Sequence, residues 1–265
     1  MSKLFAIFGD PVSHSKSPLI HNLGFNTFGV NSCYTRYLLK DGDALRSKFF
    51  ELGLSGANIT VPHKEAAFRA CDWCDDFSKS VGSVNTIILK EGKLHGYNTD
   101  ALGFFASMKT FQEIHKILFL GAGGTARSTS ILLRDVGFDV AILNRGKEKL
   151  ESFKNSGFPT YTYETIDDFD FDLIINMTSA GLSDDNLPAP EKLLLQLFQN
   201  TKGCIDIIYG KETPFLQLAK KLKIETIDGS TMLLKQGVLA FDYFTDHQFD
   251  LYGVEQTMKR AFDFG

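Results

Sequence analysis

The stretch Lys116-Ile-Leu-Phe-Leu-Gly121-Ala-Gly-Gly-Thr-Ala126 decides how the chain is read. KILFLG (116–121) is a near-continuous apolar run, the pattern of a strand buried on both faces, as in a parallel sheet. GAGGTARSTSILLRDVG (121–137) then reads as a loop opening an amphipathic helix, and VAILN (140–144) as the next strand. Gly121-Ala122-Gly123-Gly124-Thr125-Ala126 fits G-x-G-x-x-G/A. The first glycine permits a tight turn, the second lets backbone approach a pyrophosphate, and Ala126 is small enough for helix to pack on strand. The helix N-terminus adds N–H donors and positive dipole. A lone fingerprint of this kind is weak; the strand–loop–helix–strand setting makes it a dinucleotide-binding βαβ unit, against a glycine loop that only makes a tight connection.

The second strand of this unit ends in Asn144-Arg145, where an NAD enzyme would carry an acid to hold the ribose 2′-hydroxyl. An arginine there can pair with a 2′-phosphate, and Lys147 and Lys149 add positive charge, so NADP is favoured over NAD. The competing reading of Arg145 is one more exposed arginine after a strand. Further strands are predicted at 171–179, 203–209 and 224–228, a helix at 214–223, and one or two helices from Thr231 to the C-terminus.

Upstream, the first hundred residues alternate in the same way. Strands are predicted at 4–9, 34–39 and 57–60, and helices at 17–29, 43–52 and from Pro62 to about Cys74, with Ser17 as cap and Pro18 at the first position of the earliest. VNTIILKEGKLHGYNTD (84–100) reads as a hairpin turning at Glu91-Gly92-Lys93, and a helix follows Asp100. The expected architecture is therefore α/β. An N-terminal α/β substrate domain, residues 1–100, precedes a Rossmann-type doubly wound parallel-sheet domain, residues 101–235, and the helices of 236–265 pack back on the first domain. The active site is expected in the cleft between the two domains.

Composition narrows the function class. A chain of 265 residues is comfortable for two cores, and 28 Lys+Arg against 32 Asp+Glu give a net charge of -4 with no run of five or more like charges. That is not the footprint of a nucleic-acid or membrane-surface binder. The N-terminal apolar run is too short for a signal segment, and no apolar stretch approaches 18 residues, so a cytoplasmic location is expected. Cys33, Cys71, Cys74 and Cys204 agree with a reducing compartment. Cys71-Asp-Trp-Cys74 has redox or metal spacing but lacks a second pair, and reads as ordinary helix cysteines; no metal is predicted.

Two polar segments stand out in the first hundred residues. Ser13-His-Ser15-Lys-Ser17-Pro18 puts three hydroxyls near a helix N-terminus, a loop able to hold a small carboxylate, though N-capping by Ser17 alone would use one of them. Asn58-Ile-Thr60-Val-Pro62-His63-Lys64-Glu65 places a lysine where an extended run gives way to helix, either a solvated charge or a proton-transfer group.

These segments resemble the shikimate dehydrogenase family. The matching stretches are FGDPVSHSKSPLIHN (8–22), GANITVPHKE (56–65), GSVNT (82–86), YNTDALGF (97–104), LGAGGTAR (120–127), NR (144–145), NMTSAGL (176–182), DIIY (206–209) and DGSTMLLKQG (228–237), in family order over nearly the whole chain. Any one is weak, and together they are highly specific. The resemblance implies NADP-dependent interconversion of shikimate and 3-dehydroshikimate in aromatic amino-acid biosynthesis. It implies that Ser15 and Ser17, helped by Tyr209, bind the substrate carboxylate, and that Thr60, Lys64, Asn85, Asp100 and Gln236 surround the ring hydroxyls. Gly121, Ala122, Gly123, Gly124, Thr125, Ala126 and Arg127, with Asn144, Arg145, Lys149, Thr178, Ile207 and Gly229, would hold NADP. The expected partner is the small-molecule substrate, with the chain a monomer or homodimer. The sequence departs from the family at Gly146, where threonine is usual, and at Ser230-Thr231 and Gly237-Val238, where small or alanine residues are usual.

In such a reaction the cofactor carries the hydride and the protein supplies orientation and one acid/base group. Lys64 is the candidate. The helix dipole disfavours its ammonium and Asp100 favours it, so the two act in opposite directions. His63 cannot face the ring squarely together with Lys64, since consecutive helical residues point about 100° apart. Competing readings are an NAD-using quinate/shikimate dehydrogenase, a methylene-tetrahydrofolate-type dehydrogenase, which should lack the serine loop, and a non-catalytic relative, which should have lost Lys64 or Asp100.

Overall fold

The structure is a computed structural model that describes residues 2–264. The chain forms two compact units, Met1–Gly103 with Leu234–Gly265, and Phe104–Leu233. In the first, β1 (Lys3–Gly9) shows the two-residue alternation of a strand covered on both faces. Phe5 and Ile7 enter one apolar cluster while Ala6 and Phe8 enter another. α1 (Ser17–Thr27) returns the chain to β2 (Ser32–Leu38), parallel to β1. Lys16, not Ser17, occupies the N-cap position and makes no side-chain cap bond, while Pro18 lies in the first turn. The Ser15 hydroxyl instead accepts from the Ser17 N–H at 3.2 Å, which corrects the expected cap.

α2 (Leu45–Glu51) follows a 3₁₀ turn at Gly42–Ala44, and β3 (Gly56–Ile59) pairs with β1 on its other side. α3 is shorter than its sequence pattern predicts, Lys64–Ala70. Pro62 lies in the turn before it, and Cys71 leaves the helix with extended backbone. Trp73 and Cys74 form β4, paired with His95 and Gly96, so the two close cysteines belong to a helix exit and a strand and not to one helix. Asp75 then caps α4 (Asp76–Val81) by accepting from the Ser78 N–H at 2.8 Å, a short helix the periodicity did not show. β5 (Thr86–Lys90) and β6 (Lys93–Tyr97) make the hairpin around Glu91 and Gly92, whose φ angles of 51° and 76° are what a tight two-residue turn requires. The sheet order is β2-β1-β3-β5-β6-β4. α5 (Asp100–Met108) begins directly after the hairpin.

The second unit contains β7 (Lys116–Leu120), α6 (Gly124–Asp135), β8 (Asp139–Leu143), α7 (Glu151–Asn155), β9 (Thr160–Tyr161), β10 (Leu173–Asn176), α8 (Glu191–Leu197), β11 (Gly203–Asp206), α9 (Pro214–Lys221) and β12 (Glu225–Ile227). All its strand pairs are parallel, in the order β12-β11-β10-β7-β8-β9. This is the doubly wound dinucleotide-binding order, with its switch point between β7 and β10. α7, α8 and β9 are additions to the sequence reading; each is at most 7 residues long, too short for periodicity to register. Leu118, Leu120, Phe171, Ile174, Phe198 and Phe215 fill its core.

α10 (Ser230–Phe244) and α11 (Leu251–Lys259) end the chain. From Leu234 onward they supply Val238, Phe241, Phe244, Val254 and Met258 to the cluster that also holds Phe5, Phe25 and Tyr34. Gly237 is buried, and a Cβ there would meet only the movable end of the Ile20 side chain, at 2.8 Å, so nothing in the structure explains glycine where the family usually has alanine.

Candidate active site

Lys64 is the first residue of α3 and Asp100 the first of α5, and the Lys64 ammonium donates to Asp100 Oδ2 at 2.5 Å. Their side chains are 16% and 12% exposed, dry enough for the pair to be held and open enough for a ligand to reach it. Thr60, expected beside them, hangs its backbone N–H on the Phe8 carbonyl at 2.8 Å, and its own carbonyl accepts the His63 N–H at 3.0 Å, which opens the turn before α3. His63 is set apart from this chemistry. It is buried, and its Nε2 donates to the Leu39 carbonyl at 2.6 Å, so the ring serves as scaffold beneath α3.

A buried polar network runs from the serine loop to Asn85. The Ser15 hydroxyl donates to Ser17 Oγ at 3.2 Å, and Ser17 is a side-chain partner of Tyr34. The Tyr34 hydroxyl donates to Asn58 Oδ1 at 2.7 Å, and Asn58 Nδ2 donates to Thr86 Oγ1 at 3.0 Å and to the Asn85 carbonyl at 3.3 Å. Asn85 Oδ1 accepts from the Thr99 N–H at 2.7 Å while its Nδ2 donates to Thr99 Oγ1 at 3.0 Å. All of these side chains are buried, and burial holds the Tyr34 hydroxyl well above the usual tyrosine range. Buried polar groups must be satisfied, so the network fixes the Asn85 amide in one orientation. Neither Tyr34 nor Asn58 was singled out in the sequence. Asn58 carried the available signal, a polar residue inside a strand whose four positions are all buried.

Gln236 lies on α10, 8% exposed, and packs against α5. A Cβ on Gly103 would lie 2.6 Å from the Gln236 backbone nitrogen, so this glycine is required for the two helices to approach.

In the second unit, Gly121 has φ +110°, and a side chain there would strike Thr178 Cγ2 at 2.7 Å. Gly123 and Gly124 face open space, and Gly124 begins the twelve-residue α6. Ala126 is fully buried against the sheet, while Arg127 is exposed and Ala122 and Thr125 half-buried. Backbone N–H groups at the N-terminus of a twelve-residue helix, reached past glycines with no side chain, suit a pyrophosphate. At the end of β8, Asn144 Nδ2 donates to the Gly146 carbonyl at 2.8 Å, and Arg145 and Lys149 are exposed. Thr178 donates to Asn176 Oδ1 at 2.7 Å, and Asn176 donates on to Asp206 at 3.0 Å. Asp206 is fully buried; burial raises its carboxyl above the usual range, although Thr213 and the Ile208 N–H also bond to it. It pins the loop that carries Ile207 and Tyr209. Gly229 backs onto the Ile207 carbonyl so tightly that no side chain fits between them.

Residues 7–87 match the model of the shikimate dehydrogenase substrate binding domain. The chain is 42% identical to shikimate dehydrogenase (NADP(+)) of Helicobacter pylori strain J99, across 98% of this chain and 99% of that protein. The chain belongs to the shikimate dehydrogenase family. The Helicobacter hepaticus member is 40% identical over 96% of both chains. Among solved family structures, shikimate 5-dehydrogenase of Thermus thermophilus, in complex with NADP(H) and shikimate, superposes with a TM-score of 0.86 at 32% identity, covering 98% of this chain and 99% of that one.

Proposed function

We propose that the chain catalyses the reversible, NADPH-dependent reduction of 3-dehydroshikimate to shikimate, an oxidoreductase step on a CH–OH group. The Lys64–Asp100 pair carries this reading, because it places a proton donor and its counter-charge together in a domain of shikimate dehydrogenase type. NADPH supplies the hydride when bound. Lys64 gives its proton to the substrate carbonyl oxygen during reduction and takes it back in the reverse direction, and Asp100 holds the ammonium in place. Thr60, Asn85 and Gln236 orient the ring hydroxyls, and Ser15 and Ser17, with Tyr209, hold the carboxylate. The glycine loop Gly121–Arg127, with Asn144, Arg145, Lys149, Thr178, Ile207 and Gly229, binds the cofactor. Open space over Gly123 and Gly124 and the exposed cations after β8 support NADP.

The test is reduced-cofactor formation by the purified protein with shikimate and with quinate, each with NADP+ and NAD+. NADPH formation with shikimate is expected to be fastest. Silence with every pair would overturn the proposal, and equal rates with NAD+ would remove its cofactor assignment.

A further inference from the structure

The serine loop contains a feature the motif does not describe. Arg36, on β2, forks onto the main-chain carbonyl of Ser15, donating through Nε at 3.0 Å and Nη2 at 2.5 Å. It lies two residues from Tyr34, on the same face of the strand, and Tyr34 reaches Ser17. β2 thus braces both serines, one through its backbone and one through its side chain. The serines themselves are neutral. The one cation within the loop, Lys16, places its ammonium 5.8 Å from the centre of the Phe262 ring.

We infer that Arg36 is a positioning and specificity-determining residue. Its guanidinium holds the Ser15 carbonyl and supplies the positive charge that makes the serine loop prefer a carboxylate to a neutral group. The inference rests on the functional reading above, in which these serines receive the substrate carboxylate. The carbonyl and the hydroxyl of Ser15 belong to one residue, so a carboxylate on that hydroxyl falls well within the ~10 Å over which salt screens charges. A two-donor fork on one carbonyl also fixes the direction of the guanidinium, which a lysine could not do. Hydroxyl and N–H donors already bind a carboxylate more strongly than an ester carbonyl, and a fixed cation widens that difference by charge.

The experiment compares shikimate with its methyl ester, which keeps the ring and removes the charge. In the wild type, KM for shikimate should be lower than for the ester and should rise with ionic strength, while that for the ester stays flat. Arg36→Gln should raise KM for shikimate about tenfold with kcat within about twofold, and raise KM for the ester far less, since the ester loses only the brace on Ser15. Arg36→Lys should keep most of the preference for the acid. Equal losses on acid and ester would show Arg36 to be a structural brace only and would overturn the inference, as would no change on either. The salt series on the wild type needs no variant to fold, and a flat response for shikimate counts equally against it. A wild type silent with shikimate would overturn the functional reading and this inference together. An active wild type with the wrong variant pattern overturns the inference alone.

Discussion

At the scale of the residue, the site is a set of side chains held by partners distant in sequence. Lys64 meets Asp100 across 36 positions, and Tyr34 meets Asn58 across 24. Replacing Lys64 by Ala should lower kcat by roughly 10²-fold or more, with a smaller change in KM, because general acid–base groups act chiefly in the transition state. Steady-state kinetics with shikimate and NADP+ check this, and an unchanged kcat would remove Lys64 from the role. The candidate lysine and aspartate were legible in the sequence because they sit in recognisable motifs. Arg36 and Tyr34 were not, since an arginine in an alternating strand and a tyrosine beside it look the same whether they face solvent or brace a loop. His63 was the opposite case, a residue whose chemistry suggests catalysis and whose actual partner is the Leu39 carbonyl.

At the scale of the element, close approaches carry the specificity of packing. The contact between α5 and α10 leaves no room for a side chain at position 103, where the obstacle is the backbone of Gln236 and cannot rotate away. Gly103→Ala should therefore shift Gln236, raise KM for shikimate several-fold and lower stability by about 1–3 kcal/mol, as overpacking does. Kinetics together with urea unfolding test both halves, and an unaltered KM would separate Gln236 from the substrate. On the loop after β8, Arg145 is exposed, and the proposed function has it pair with a 2′-phosphate. Arg145→Ala should raise KM for NADP+ about tenfold, within the range of a charge-assisted hydrogen bond, and leave KM for NAD+ unchanged. Equal effects on both cofactors would show that it does not read the phosphate. Strand and helix order was legible because burial imposes its period locally. β4 and the short α4, α7 and α8 were not, because two to seven residues hold too few turns or pleats to show one.

At the scale of the whole molecule, one buried histidine couples stability to pH. His21 is fully buried, stacks on Tyr34 with ring centres 4.5 Å apart, and neither ring nitrogen has a hydrogen-bond partner. Burial pushes its pKa down to about 3 from the ordinary 6.5. The unfolded chain takes up this proton below pH 6.5 and the folded chain does not, so stability falls as pH drops from about 6.5 towards 3. The limiting slope for one such group is about 1.4 kcal/mol per pH unit. Asp72, Asp172 and Asp184, whose carboxyls are held below the usual value of 3.8, contribute only at the acid end of that window. His21→Phe should therefore flatten the stability profile between pH 6.5 and 4 without lowering stability at pH 8. Urea unfolding across that range checks it, and parallel profiles for the two proteins would refute it. By itself the sequence determined the alternation of strands and helices, the glycine loop and the family motifs, because hydrophobic period and backbone freedom are properties of neighbouring residues. Only the tertiary structure decided that Ser17, Tyr34, Asn58 and Asn85 form one network, that Arg36 holds the serine loop, and that His21 is buried without a partner. Which polar groups meet depends on which strands lie side by side, and that is settled by long-range packing.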